Sequence, residues 1–182
     1  IVPAKSTYQV QQNSTFVQPV VIENWKEAKM PVAVGTGGKT VAFRGELSAD
    51  QTGLTSAIFT KVNLDTTSID TDNALVDGKF KPSVAGYYQV NGSVQQKCTP
   101  GSVQTVSAIY KNGIVESVGS NTTSSTASYV SVVSDVIYLN GTSDYVELWG
   151  WVQSTGTCGI DSRSYITYLS AVLVSGGSGD SI

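Results

Sequence analysis

Two cysteines, three tryptophans, a run of loop aspartates and no histidine bound the chemistry this chain can do. Without imidazole, Ser-His-Asp and Cys-His catalysis and histidine-ligated metal sites are excluded. Two cysteines are too few for a thiolate zinc site. The glutamates, Glu23, Glu27, Glu46, Glu116 and Glu147, form no pair of the kind a glycosidase needs. Asp65, Asp70, Asp72 and Asp77 invite a reading as a calcium loop, but they lack the spacing of a known calcium motif. No metal site is therefore assigned, and calcium is kept only as an open alternative for that acidic loop. Tyr145, Trp149 and Trp151 alternate along one face of a strand-like run. They read either as an aromatic platform for stacking on sugar rings or as surface that packs against Phe16, Trp25 or a second subunit.

Those side chains must be positioned by strands. The 182 residues are 40% apolar and only 14% charged, and Ser, Thr, Gly and Val dominate a palette suited to twisted sheets rather than helices. A net charge of −3 argues against nucleic-acid or anionic-membrane partners, and no apolar run is long enough to insert into a membrane. Strand-like runs are expected at 41–47, 56–62, 79–82, 86–95, 103–111, 114–120, 128–139, 144–153 and 165–175. Asn112-Gly113 between two of them is a strong two-residue hairpin signal, because both turn positions want φ > 0. Asp77-Gly78 and Asn140-Gly141 read as further turns. In the run 144–153, Val146, Leu148, Gly150 and Val152 share the face expected to be the core. The last run, Ile166 to Val174, is so continuously apolar that burial on both faces is expected, as in a central strand or a subunit interface. Residues 1–39 read as a stalk-like or linking segment, with a helical turn near Trp25 that Pro31 ends. Residues 40–175 read as the main domain and 176–182 as a flexible tail. The start at Ile1-Val2-Pro3 reads as a processed or excised product.

Several short signatures fall in order along the main domain. They are Asp77-Gly78-Lys79-Phe80, Gly86-Tyr87-Tyr88, Tyr110-Lys111-Asn112-Gly113, Asp144-Tyr145-Val146-Glu147-Leu148 and the closing Tyr165–Leu173 run. Earlier, Phe43 to Leu47 and Phe59-Thr60-Lys61-Val62 fit the first strands. Together they resemble the globular head domain of the complement C1q and tumour-necrosis-factor-like family, over roughly residues 40–175. The resemblance implies an all-β jelly-roll sandwich that assembles as a homotrimer and binds partners without catalysis. No Gly-x-y collagen repeat precedes the domain, the turn Asn140–Asp144 is one residue longer than the usual form, and no acidic cluster carries over the apical calcium site of some members.

The family's sheet order makes the strands beside Cys98 and Cys158 antiparallel neighbours, which implies an intrachain disulfide. The alternatives are two thiols or an interchain link. It also implies that the termini share one end, leaving the loops 97–102, 119–126 and 152–164 at the other. Thr99, Gln153, Asp161 and Arg163 are then candidate ligand-binding residues. N-x-S/T acceptors occur at Asn13, Asn91, Asn121 and Asn140.

The function expected from this combination is a trimeric receptor-binding or adhesion head at the tip of a phage or viral fibre. Such a head would sit outside the cell or on a virion surface and bind a host glycan or receptor protein. A secreted lectin-like innate-immunity protein and a structural capsid or decoration protein are the alternatives.

Overall fold

The computed structural model describes residues 11–12, 15–16, 40–99, 103–124 and 128–176. The chain divides into two units, Ile1–Gly38 and Lys39–Ile182. In the first, β1 (Gln11–Gln12) and β2 (Thr15–Phe16) form a short antiparallel ladder. The helical turn expected near Trp25, the glycosylation acceptor Asn13 and the tail 177–182 lie outside the described residues.

The second unit is all-β among the described residues. Its strands are β3 (Ala42–Glu46), β4 (Gln51–Leu54), β5 (Ile58–Lys61), β6 (Thr66–Asp70), β7 (Leu75–Val76), β8 (Lys79–Phe80), β9 (Ala85–Thr99), β10 (Val103–Lys111), β11 (Ile114–Ser124), β12 (Ser128–Asn140), β13 (Val146–Gln153), β14 (Thr157–Ile160) and β15 (Tyr168–Gly176). Two antiparallel sheets face each other. The larger runs β4-β14-β9-β15-β3-β6, with β12 on the other side of β9. The smaller runs β11-β10-β13-β8-β7, with β5 also on β13. This is the jelly-roll sandwich expected of the chain.

Local chemistry accounts for the turns. Asn112 and Gly113 both take positive φ (53° and 80°) and join β10 to β11. Asp77 and Gly78 do the same (50° and 69°) between β7 and β8. Asn140 closes the longer turn before β13, its Oδ1 accepting the amides of Thr142, Ser143 and Asp144.

The core fills the gap between the sheets. Phe80 is fully buried and lies 4.7 Å from Phe43 and 5.4 Å from Tyr88, ring centroid to ring centroid. Val146, Leu148 and Val152 of β13 are buried on the expected face. Tyr88 donates its hydroxyl to Val84 O at 2.7 Å, and burial pushes that phenol up to about 12.

Three expectations need correction. The run 56–62 shortens to β5, because Ala57 turns to φ 62° and leaves Ile58 exposed. The segment 152–164 is not a free apical loop, because it contains β14, which pairs with the end of β9 and with β4. The closing strand β15 is central, between β9 and β3, yet it is not buried on both faces within one chain. Val172 and Val174 remain 43% and 61% exposed.

Candidate functional site

Backbone register fixes the two ends of the sandwich. Val172 of β15 lies opposite Ala42, and Gly176 lies opposite Gly86, so the start of β3 and the end of β15 share one end. At the other end Thr157 lies opposite Thr99 and Gln104 opposite Gln153. Thr99 and Gln153 are both exposed there. Below them Cys98 and Cys158 are directly opposed across β9 and β14 and joined by a disulfide, with Cα atoms 4.1 Å apart. Both cysteines are buried, so the bond clamps the apical corner from inside.

Asp161 and Arg163 are drawn away from the tip. β14 starts beside Thr99 and runs back to Gln96, and Ile160 is fully buried at its end. Asp161 then donates its amide to Gln95 O at 3.0 Å. The result is a charge cluster on the outer face of the larger sheet. Arg163 Nε and N both donate to Asp161 Oδ1 at 2.9 Å, and Arg163 Nη2 donates to Gln95 Oε1 at 2.7 Å. Lys97 Nζ reaches Asp50 at 2.6 Å and Asp161 at 3.4 Å. Asp161 is buried, so its carboxylate positions its neighbours, whereas Asp50, Arg163 and Tyr165 are exposed and Lys97 is partly so. Arg163 Nη1 donates to the Tyr165 hydroxyl at 3.2 Å. Asp50, Gln95 and Lys97 were not legible as partners, since these contacts join residues far apart in sequence, and Tyr165, two residues from Arg163, reads only as part of the closing strand.

The Arg163 hydrogen bonds hold the Asp161 carboxyl at about 2, well below its ordinary 3.8. A depressed folded value means that the stabilisation is complete above about pH 4 and is lost as pH falls through about 2. Lys97 and Arg163 are both partly solvated, so water screens their pairing with Asp161 and the stabilisation is modest. In denaturant titrations the wild type is therefore expected to exceed Asp161→Asn in stability at pH 6, and to lose that margin by pH 2. A margin independent of pH would refute the assignment.

Trp149 and Trp151 lie half-buried on the outer face of the smaller sheet. Trp149 stacks on Tyr110 with centroids 4.4 Å apart and planes at 22°, and its Nε1 donates to Glu147 at 3.3 Å. Phe59 extends the row, 6.0 Å from Tyr110. Tyr145 stands apart and receives Lys79 over its ring at 4.5 Å. A ring whose face is already covered by a neighbour is poorly presented for a sugar, so the geometry favours packing for Trp149. Trp149→Ala is expected to lower stability by about 2 kcal/mol, as loss of half-buried aromatic packing does. Lost ligand binding at an unchanged melting temperature would reinstate the platform.

Three of the four acidic residues are engaged as local caps. Asp70 accepts the amides of Asp72, Ala74 and Leu75, Asp72 accepts Ser83, and Asp65 accepts Ser48. Among the described residues, no three His, Cys, Asp or Glu side chains converge as a metal site would need.

The outward face of β9, β12 and β15 carries a group of exposed apolar side chains. Tyr87, Tyr138, Val132, Val136, Val172 and Val174 lie on it, each at least 42% exposed. Tyr87 and Tyr138 pair edge to face at 5.3 Å. At its centre Gln89 donates to Asn91 and Ser134, and Ser134 donates to Asn91 at 2.9 Å. The signal for this face was the run 130–138, in which the outward set Val130, Val132, Val136 and Tyr138 is interrupted only by Ser134.

No protein-family model matches the chain, and none of the curated proteins matches it in sequence. Solved structures do. The chain is similar to murine APRIL at 15% identity and a TM-score of 0.51, over 75% of this chain and all of that one. It is similar to the Eiger TNF of S. frugiperda at 10% identity and a TM-score of 0.53, over 79% of this chain and 96% of that one. It is similar to the globular domain of zebrafish complement 1qA at 14% identity and a TM-score of 0.51, over 76% of this chain and all of that one. The fold is therefore the TNF- and C1q-like jelly roll. No helix among the described residues is long and apolar enough to cross a membrane.

Proposed function

We propose that residues 40–176 form a non-catalytic recognition head that assembles as a homotrimer and binds a surface ligand. The observation that carries this reading is the exposed apolar face of β9, β12 and β15, which suits association with copies of itself. The resemblance noted in the sequence points the same way. Ligand contact is assigned to the apical and lateral positions left free by that face, with Thr99, Gln153 and Arg163 as the residues offered to solvent. Three copies would raise a weak single-site affinity through avidity. The finer assignment, a host-attachment tip of a phage or viral fibre that binds a glycan or receptor protein, rests on the weakly charged, Ser/Thr-rich composition.

Sedimentation equilibrium at micromolar concentration tests the assembly. The expected mass is three times the 19.1 kDa of the chain. A monomer at that concentration overturns the reading. Glycan-array binding that falls on substitution of Thr99, Gln153 and Arg163 supports the ligand assignment, and unchanged binding removes it.

A further inference from the structure

Toward the apical end of the sandwich the hydrophobic core, which there includes Cys98, Cys158 and Val152, is interrupted by polar side chains. There the facing strands turn polar side chains inward: Gln96 from β9, Thr105 and Ser107 from β10, and Ser131 from β12, all at 0% exposure. Four oxygen atoms, Gln96 Oε1, Thr105 Oγ1, Ser107 Oγ and Ser131 Oγ, have no hydrogen-bond partner among the described residues. Left unpaired, that many buried acceptors and hydroxyls would cancel a large share of a domain's stability.

The four belong to one neighbourhood. Gln96 Nε2 donates across the gap to Val106 O at 3.2 Å, between Thr105 and Ser107. Ser107 lies opposite Gly150, and a Cβ on Gly150 would lie 3.0 Å from Gln96 Nε2. A Cβ on Gly119 would lie 2.8 Å from Ser107 Oγ and 2.0 Å from Val132 O, so β11 brings Ser107 next to the backbone that follows Ser131. Ser131 in turn lies opposite Val94, two residues along the same inward face from Gln96. Three hydroxyls and one amide oxygen therefore face inward from neighbouring positions of the two sheets.

We propose that this region is a binding site for ordered water, held by Gln96, Thr105, Ser107 and Ser131. Water is the ligand whose chemistry fits. The lining is neutral, each hydroxyl can both donate and accept, and an internal water needs two to four such partners. Among the described residues, the lining holds no carboxylate for a cation and no cationic group for an anion. Its role is to let the two sheets close over a polar apex without a dry hydrogen-bonding deficit, under the strands that carry Thr99 and Gln153.

The deciding measurement is water–protein NOE spectroscopy on labelled protein. Long-lived water signals are expected at the Gln96 side-chain amide and at the methyls of Val94 and Val152, which lie opposite Ser131 and Thr105. Thr105→Val supplies a second test by its sign. Removing one partner from a bound water should lower the melting temperature by roughly 3 °C, whereas removing a dry, unpaired hydroxyl should raise it. Absence of the NOEs, or a Thr105→Val protein more stable than wild type, overturns the proposal. Should Thr105→Val fail to fold, Ser131→Ala carries the same comparison.

Discussion

Replacing Cys98 and Cys158 together by alanine is expected to lower the melting temperature by roughly 10–20 °C. The two residues are 60 positions apart, so the bond closes a long loop in the unfolded chain. In the chain-entropy view a loop of that length is worth about 4 kcal/mol. A domain of this size loses about 3–5 °C for each kcal/mol. The structure adds a local reason. β14 has only four residues, and its ladder to β9 spans Thr157 to Ile160. Cut from β9, that short strand would release its hold on β4 and on the Asp161–Arg163 cluster. Amide exchange should therefore rise first at 51–54 and 157–163. Differential scanning calorimetry of the double variant, and of wild type under reductant, checks both statements. A shift under about 3 °C would mean that the backbone ladder alone holds the corner.

The body of the sandwich was legible because its signals are local. Asn112-Gly113 specifies its hairpin through two positive φ angles, and Phe80 enters the core directly after the Asp77-Gly78 turn. The alternation of Val146, Leu148 and Val152 also needs no distant partner to be read. What escaped were features fixed by contacts distant in sequence. Thr157-Cys158-Gly159-Ile160, with a turn-like Gly156 before it, looks like loop until β9 and β4 are placed on either side. Thr66–Asp70 is too polar to announce β6, which forms because β3 offers it an edge. The same limit applies to the candidate site. Arg163 was singled out as a charged loop residue, but its orientation depends on Gln95, 68 positions earlier. Inward-facing Ser107 and Ser131 look like ordinary strand hydroxyls until the opposing sheet buries them.

Placing a charge at the centre of the exposed face is expected to abolish self-association while leaving the subunit folded. Val136 and Val172 flank Gln89 from opposite sides, since both lie directly across from it in the ladder. Their side chains are 52% and 43% exposed in the isolated chain, so a glutamate at either position still reaches water. Surface substitutions of that kind change subunit stability by only about 0.5 kcal/mol. In a trimer the same carboxylate becomes an uncompensated charge in a closed interface, at a cost of about 3–5 kcal/mol, and symmetry repeats it in every subunit. A single such penalty already weakens association by about a thousandfold. Val136→Glu/Val172→Glu should therefore sediment as a monomer at concentrations where wild type is trimeric, with an unchanged far-ultraviolet spectrum. Val136→Thr, which keeps the shape and adds no charge, should remain associated. The two outcomes separate an interface from a merely exposed sheet, because only an interface distinguishes a charge from a hydroxyl at that depth. A double-glutamate protein that still forms trimers would move the interface to another face of the sandwich.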